Sequence, residues 1–354
     1  KIEINNKMRK IPVAIINYNG KKTLAQTIES LYKSTEIEVD IYVYDDCSTD
    51  NALQEISQKF PEVKIYSHPK NVRNPNVFRN LALKQINSER IFITDNDILY
   101  DENCLKHLSE AMDLDSNIAA CSPRLMYLGD ENRTYFAGVK IHFIGAAIGN
   151  YRDEIVDHSD KEPEPNSGSG ILLVNKNKAL EVGLFDEDYG LAWGDDGEFF
   201  QRLLLRGYKC LYIPKAFGYH EYKPFSNERS YRAVGQVTNR LMFITTHYSK
   251  RTVLLLIPAF IVYELMEFVF MLAKKMPHLF LKGEIAFWNK RELVRKKRKF
   301  IRSIRVVSDK AVLYSGEIYI SPGLINGNKT MKVLVSVLQK FFQKYWEIIY
   351  PLIP

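Results

Sequence analysis

Apolar and polar positions along the first hundred residues alternate between two rhythms. "VAIINY" (13–18) is a short apolar run that stops at Asn-Gly. "KKTLAQTIESLYKS" follows, with Leu24, Ile28 and Leu31 at helical spacing. "VDIYVYDD" (39–46) is rich in β-branched and aromatic residues and ends in acids, and "VKIYSHP" (63–69) reads as a third strand. "NVFRNLALKQIN" (76–87) returns to the helical rhythm, and "RIFITDND" (90–97) is a fourth strand ending in acids. Strands alternating with helices predict right-handed βαβ units around a parallel sheet. Ligands of such sheets bind beyond the carboxyl ends of the strands, where the acids at 45–46 and 95–97 fall.

Downstream the pattern changes twice. Residues 118–185 are less regular: "IAACSPRLMY", a Gly-rich and aromatic span at 136–151, a polar loop at 157–170, then the strand "GILLVNK". "GLAWGDDGEFFQRLLLRGYKC" (190–210) sets Asp195, Asp196 and Glu198 at the mouth of an amphipathic helix that continues through Phe199, Phe200, Leu203 and Leu204. From about residue 226 the chain becomes helical and apolar, with "VLLLIPAFIVYELMEFVFMLA" (253–273), the basic run "KRELVRKKRKFIRSIR" and an aromatic tail. Two units are predicted: an α/β catalytic domain over 1–225 and a helical region over 226–354.

Composition narrows the classes. A chain of 354 residues with 46% hydrophobic and 26% charged residues excludes collagen-like and wholly disordered proteins. Four scattered cysteines without a CxxC spacing read as reduced thiols. No leader pattern is visible, so a cytoplasmic setting is expected. The net charge of +7 is unevenly spread. Residues 274–310 hold 13 Lys/Arg against 3 Asp/Glu, a local +10 that leaves about −3 elsewhere. Such asymmetry points to an anionic partner for that segment alone, a membrane surface or nucleic acid.

The candidate chemistry lies at the strand ends. Asp95 and Asp97 flank Asn96, so two carboxylates at i and i+2 can converge on a hard divalent cation; the plainer alternative is a capped turn. Asp45 in "VYDDCSTD" caps a helix or hydrogen-bonds a nucleotide. Arg79 near a helix start pairs with a base or diphosphate, or is an exposed helical arginine. Asp196 near a helix N-terminus is kept ionised by the dipole and able to accept a proton, while Asp195 and Glu198 cap the first turn or contact substrate. His220, just after the strand "KCLYIP", is structural or an extra metal ligand. "DEDYGLAWGDDGE" lacks the alternating oxygen ligands and sixth-position glycine of a calcium loop.

The order of these signals is more specific than any one of them. Acid at 45, Arg79-Asn80, Asp95-Asn96-Asp97, Gly-Ser-Gly before a strand at 168–174, "GLFDEDYGLAWGDDGEFFQRLLLRG", then His220: over residues 11–222 this resembles the family 2 glycosyltransferases of the GT-A fold, an α/β/α sandwich. The "WGDDGEF" element looks most like the rhamnosyl- and galactofuranosyltransferase branch, from which Asn96 and Glu198 depart. The resemblance implies that Ile16, Asn17, Tyr18 and Asp45 hold the nucleotide with help from Arg79. It implies Mg²⁺ or Mn²⁺ on Asp97, Asp95 and His220, Asp196 as general base, and Trp193 and Asp195 lining the acceptor site. The donor is then a UDP- or dTDP-sugar and the acceptor a glycan or lipid-linked glycan.

Three other classes fare worse. A sugar nucleotidyltransferase would need a Gly-rich phosphate loop with a lysine, which "NYNGKKT" does not supply. A nucleic-acid-binding protein would need an aromatic face beside its basic run. An idle membrane scaffold would not need Asp97, Asp196 and His220 together. The apolar span 253–273 is long enough to cross a bilayer, but Pro258, Glu264 and Glu267 favour a buried or interfacial helix. With the basic run behind it, peripheral attachment to an anionic membrane is expected, an oligomer interface being the alternative.

Overall fold

The computed structural model describes residues 9–155, 160–190, 192–221, 231–318 and 329–354. The first half follows the predicted rhythm. β1 (Arg9–Asn17), α1 (Leu24–Tyr32), β2 (Ile37–Asp45), β3 (Lys64–Ser67), α3 (Pro75–Gln85) and β4 (Arg90–Asp95) match the anticipated elements to within a few residues. α2 (Ala52–Lys59) follows the Ser-Thr-Asp of "VYDDCSTD", where a helix was expected to open, and α4 (Cys104–Asp113) stands where none was anticipated.

β4, β1, β2 and β3 are neighbours in that order and run parallel, each registered so that its last residue reaches the same edge. Thus Asn17 lies opposite Asp45, and Ile16 opposite Asp95. The sheet continues through β11 (Leu172–Asn175), antiparallel to β4, then β6 (Ile118–Tyr127) and β12 (Lys209–His220). The bulges in β12 bring its end back to the same side, and His220 pairs with Ile98 of β5 (Ile98–Tyr100). β1 and β4 are almost wholly inaccessible, as strands covered on both faces must be. Val13, Ile15 and Phe92 feed one core; Ala14, Ile91 and Ile93 feed the other, with Phe199 and Phe200 of α6 (Gly197–Leu205).

The C-terminal region is α7 (Tyr231–His247), α8 (Lys250–Ala273), α9 (Pro277–Asn289), α10 (Arg291–Ile304) and α11 (Lys329–Ile349). The expected boundary near 226 lies outside the described residues. These helices share a third core with Phe143, Ile144, Tyr189 and Leu205 of the α/β part. The basic run on α10 is not uniformly solvated. Lys297 is bonded to Asp186 (2.6 Å) and Asp188 (2.7 Å), and Arg298 donates to the Thr245 carbonyl. Two of its charges therefore tie α10 to the rest of the chain.

Candidate active site

The carboxyl ends of β1, β2 and β4 open into a cleft of about 1210 Å³. Its lining combines a strand-end wall (Ile16, Asn17, Tyr18, Asp95 and Asp97) with a second wall carried by α3 and the segment before α6 (Arg79, Trp193, Asp195 and Asp196), and includes His220. Asp45, expected beside them, is not in the lining. It is fully buried, and its oxygens accept from Asn17 Nδ2 (2.6 Å), Ser48 Oγ (2.5 Å) and Ser48 N (2.9 Å). Its acceptors are used to knit strand ends together. Asp46 is the acid of that pair which reaches the cleft, where it also accepts from the Val72 and Arg73 amides.

Asn96 has a partner that explains an amide in an acidic motif: its Nδ2 donates to Asn17 Oδ1 (2.5 Å). A carboxylate there would meet an acceptor. Gly20 permits this close packing, since a Cβ on it would sit 2.3 Å from both Asn17 Oδ1 and Asn96 Nδ2. The first wall is thus a chain of hydrogen bonds across three strand ends, Asp45–Asn17–Asn96.

The three-residue metal set of Asp95, Asp97 and His220 does not assemble. Among the described residues, no three of His, Cys, Asp and Glu gather closely enough to enclose an ion. Asp97 Oδ1 and His220 Nε2 do face each other at 3.5 Å. Asp95, two residues earlier at the end of β4, lies where its charge acts on Arg79 and Asp195 instead. A carboxylate and an imidazole suit Mg²⁺ or Mn²⁺ provided that substrate oxygens and water complete the shell. The His220 ring stacks on Tyr135 (centroids 4.5 Å, planes at 10°), and the Arg152 guanidinium covers the other part of that stack, 5.4 Å from the Tyr135 centroid. Tyr135 and Arg152 were not anticipated; they flank the Gly-rich and aromatic span 136–151.

The second wall centres on Arg79. It is buried, donates to Asn76 Oδ1 (2.9 Å) and pairs with Asp195 Oδ2 (3.2 Å). Burial disfavours its charge, but Asp195, Asp95 and Asp196 together hold its pKa above the ordinary guanidinium value. Gly170 makes room for it: a Cβ would stand 2.8 Å from Arg79 Nη2. Burial and the adjacent Asp196 carboxylate push Asp195 up to about 7, against the pull of Arg79. Asp196 occupies the N-cap of α6, where its Oδ1 accepts from the Gly197 amide (2.8 Å).

Glu198 does not contact the cleft, which corrects its expected role as a cap or substrate ligand. It is buried and takes two hydrogen bonds from Arg202 (2.8 and 2.6 Å), with His247 Nε2 3.1 Å away. Burial opposes its charge, yet Arg202 and His247 outweigh that and hold it down at about 2.

The loop that carries Trp193 and Asp195 is tied by two buried asparagines. Asn76 Nδ2 donates to the carbonyls of Asp186 (2.9 Å) and Asp195 (2.8 Å). Asn239 Nδ2, from α7, donates to those of Tyr189 (2.5 Å) and Trp193 (3.0 Å). The second pair nests inside the first. Neither residue was singled out from the sequence, although Thr238, Asn239 and Arg240 are consecutive polar residues of α7 and are all buried.

The comparisons agree with this construction. The model of glycosyl transferase family 2 matches residues 13–161, and that of glycosyl transferase family group 2 matches residues 90–273. The poly(ribitol-phosphate) β-N-acetylglucosaminyltransferase TarS of Staphylococcus aureus is 32% identical over 111 residues, covering 30% of this chain and 19% of TarS. The chondroitin synthase of Escherichia coli is 26% identical over 256 residues, covering 64% of this chain and 37% of that enzyme. The chain therefore spans well under half the length of the curated relatives it matches. The structure of GalNAc-T7 with UDP, GalNAc and Mn²⁺ superposes with a TM-score of 0.53 at 16% identity, over 70% of this chain and 49% of the other, which shows the same fold. The chain belongs to the family 2 glycosyltransferases and is a transferase enzyme of GT-A fold.

Proposed function

We propose that this enzyme moves a sugar from a nucleoside-diphosphate sugar to a hydroxyl of a glycan or lipid-linked acceptor, with inversion, at the cytoplasmic face of a membrane. One observation carries the reading: a single cleft holds a helix-capping carboxylate, Asp196, together with the Asp97–His220 pair. In this scheme the exposed ring of Tyr18 and the strand-end residues Ile16 and Asn17 receive the nucleotide, and Asp45 supports them from beneath. Trp193 and Asp195 receive the acceptor. The acceptor oxygen forms its bond to the anomeric carbon as the bond to the diphosphate breaks. Its proton passes to Asp196, and the electron pair leaves with UDP or dTDP. Asp97 and His220 would hold Mg²⁺ or Mn²⁺, which when bound offsets the charge growing on the diphosphate. Arg79, kept charged by its three acids, orients Asp195.

The "WGDDGEF" element supports a place beside the rhamnosyl- and galactofuranosyltransferases, while the name of TarS argues for including N-acetylglucosamine among the donors tested. A panel of UDP- and dTDP-sugars, read by product formation, separates these. Asp196→Asn should keep donor affinity and lose turnover by about 10²–10⁴-fold, since the base acts only in the transition state. Wild-type turnover in that variant would move the role to Asp195. Asp97→Ala should abolish the Mn²⁺ dependence of nucleotide binding in calorimetry; retained dependence would remove Asp97 from the ion.

A further inference from the structure

Helix α8 is 24 residues long and apolar enough to cross a membrane by length and composition. Its polar side chains, however, are gathered on one side. Thr252, Tyr263 and Glu267 are buried against the protein, and both acids of the helix meet the buried Arg240 of α7: Glu264 in direct contact, Glu267 at 3.9 Å. Arg240 also lies 4.3 Å from the Tyr263 ring centroid. The acids that would oppose spanning are thus satisfied inward, and what remains outward is a clean stripe. Leu254, Ile257, Ile261, Leu265, Val269 and Leu272 recur at three- and four-residue spacing and are 41–67% exposed. The stripe runs about 27 Å along the helix. Leu281, Ile285 and Trp288 of α9 repeat the pattern at 53–63% exposure. An exposed apolar stripe of this kind marks an interaction surface.

The charges around the stripe select its partner. Lys250 and Arg251 precede it and Lys274 and Lys275 follow it, all exposed. A second copy docking by two-fold symmetry would set these cations against each other or against themselves, and α8 carries no acid besides the two engaged by Arg240. An anionic lipid surface satisfies both features at once, accepting apolar side chains to headgroup depth and cations at its phosphates. We propose that α8 and α9 lie in the plane of an anionic membrane, with the Leu254–Leu272 stripe and Trp288 inserted and the helix's inner face still packed on α7. The helix does not cross the bilayer, because its inner face is committed to the protein core.

The full chain, mixed with vesicles of equal parts phosphatidylglycerol and phosphatidylcholine, should float with them at low salt. It should do so less in about 0.5 M salt, where screening is short-ranged. Replacing Leu254, Ile261 and Leu265 by Glu should lower the partition coefficient at least roughly tenfold, as should Gln at Lys250, Arg251, Lys274 and Lys275. Both sets of positions are exposed, so thermal unfolding and hydrolysis of donor by water should stay at wild-type level. Trp288 fluorescence should be quenched by acyl-chain-brominated lipid. Absence of flotation at low salt, equal flotation with pure phosphatidylcholine, or a wild-type dimer in sedimentation that the Glu variant dissolves would each overturn the proposal. None of these outcomes touches the transfer chemistry, which the donor reaction reports separately.

Discussion

On one wall of the cleft, Asn17 at the end of β1 reaches Asp45 at the end of β2 and Asn96 just past β4, all within neighbouring strands. On the other, the carbonyls of Asp186, Tyr189, Trp193 and Asp195 are held by Asn76 from α3 and by Asn239 from α7, the latter 46 residues beyond Trp193. The first wall is rigid because a buried parallel sheet is rigid. The second is rigid only while elements from both halves of the chain press on it. Two aspartates illustrate the difference. Asp45 is saturated by local donors, whereas Asp195 has one cation and a like-charged neighbour, and its pKa moves accordingly.

The largest effect that would sharpen this contrast comes from beneath the loop. Glu198→Gln leaves the buried Arg202 without its counter-charge, and such a loss typically costs about 3–5 kcal/mol. Glu198 is held near 2 in the folded chain against an ordinary 4.5, so its contribution is complete above that value and fades as pH falls from about 4.5 through 2. Denaturant titrations should show the variant less stable at neutral pH and with a flatter acid limb. An unchanged midpoint would mean that His247 and Arg202 tolerate a neutral partner.

Paired substitutions come next. Asn239→Ala should leave two buried carbonyls unmet at a cost of about 1–3 kcal/mol, raise KM for the acceptor and spare nucleotide affinity. Asn17→Ala should do the reverse, weakening nucleotide binding while acceptor KM holds. If both variants affect both substrates alike, the walls are not independent. The smallest effect is a slope. Because Asp195 is raised from 3.8 to about 7, the folded chain binds more protons than the unfolded one across that window, and stability falls as pH rises through it. Asp195→Asn should remove this slope in the same titrations, and a persistent slope would place the proton elsewhere.

The strand-end wall was legible because period-two and period-3.6 patterns report which elements exist, and a parallel sheet then fixes where their ends lie. Asp95 and Asp97 are placed at the cleft by that logic alone, whereas Asp196 needed the helix start and the family resemblance. What stayed hidden needed three-dimensional partners. Nothing in "VYDDCSTD" says that Asp45 turns inward and Asp46 outward, since this depends on Ser48 and Asn17. Nor does the apolar helix after Glu198 reveal Arg202 and His247 folding over it. The basic run of α10 meets the same limit: composition counts charges, and only packing shows that Lys297 is already bonded to Asp186.

The nested ties on the loop also order events during synthesis. Domains emerge and fold from the N-terminus, so the sheet and Asn76 are in place while α7 is still unmade. At that stage the strand ends exist, but the Trp193 segment lacks its inner tie. A chain ending before α7 would carry the strand-end wall of the cleft without the tie that holds the Tyr189 and Trp193 carbonyls. The second wall is therefore complete only once α7 has packed on it.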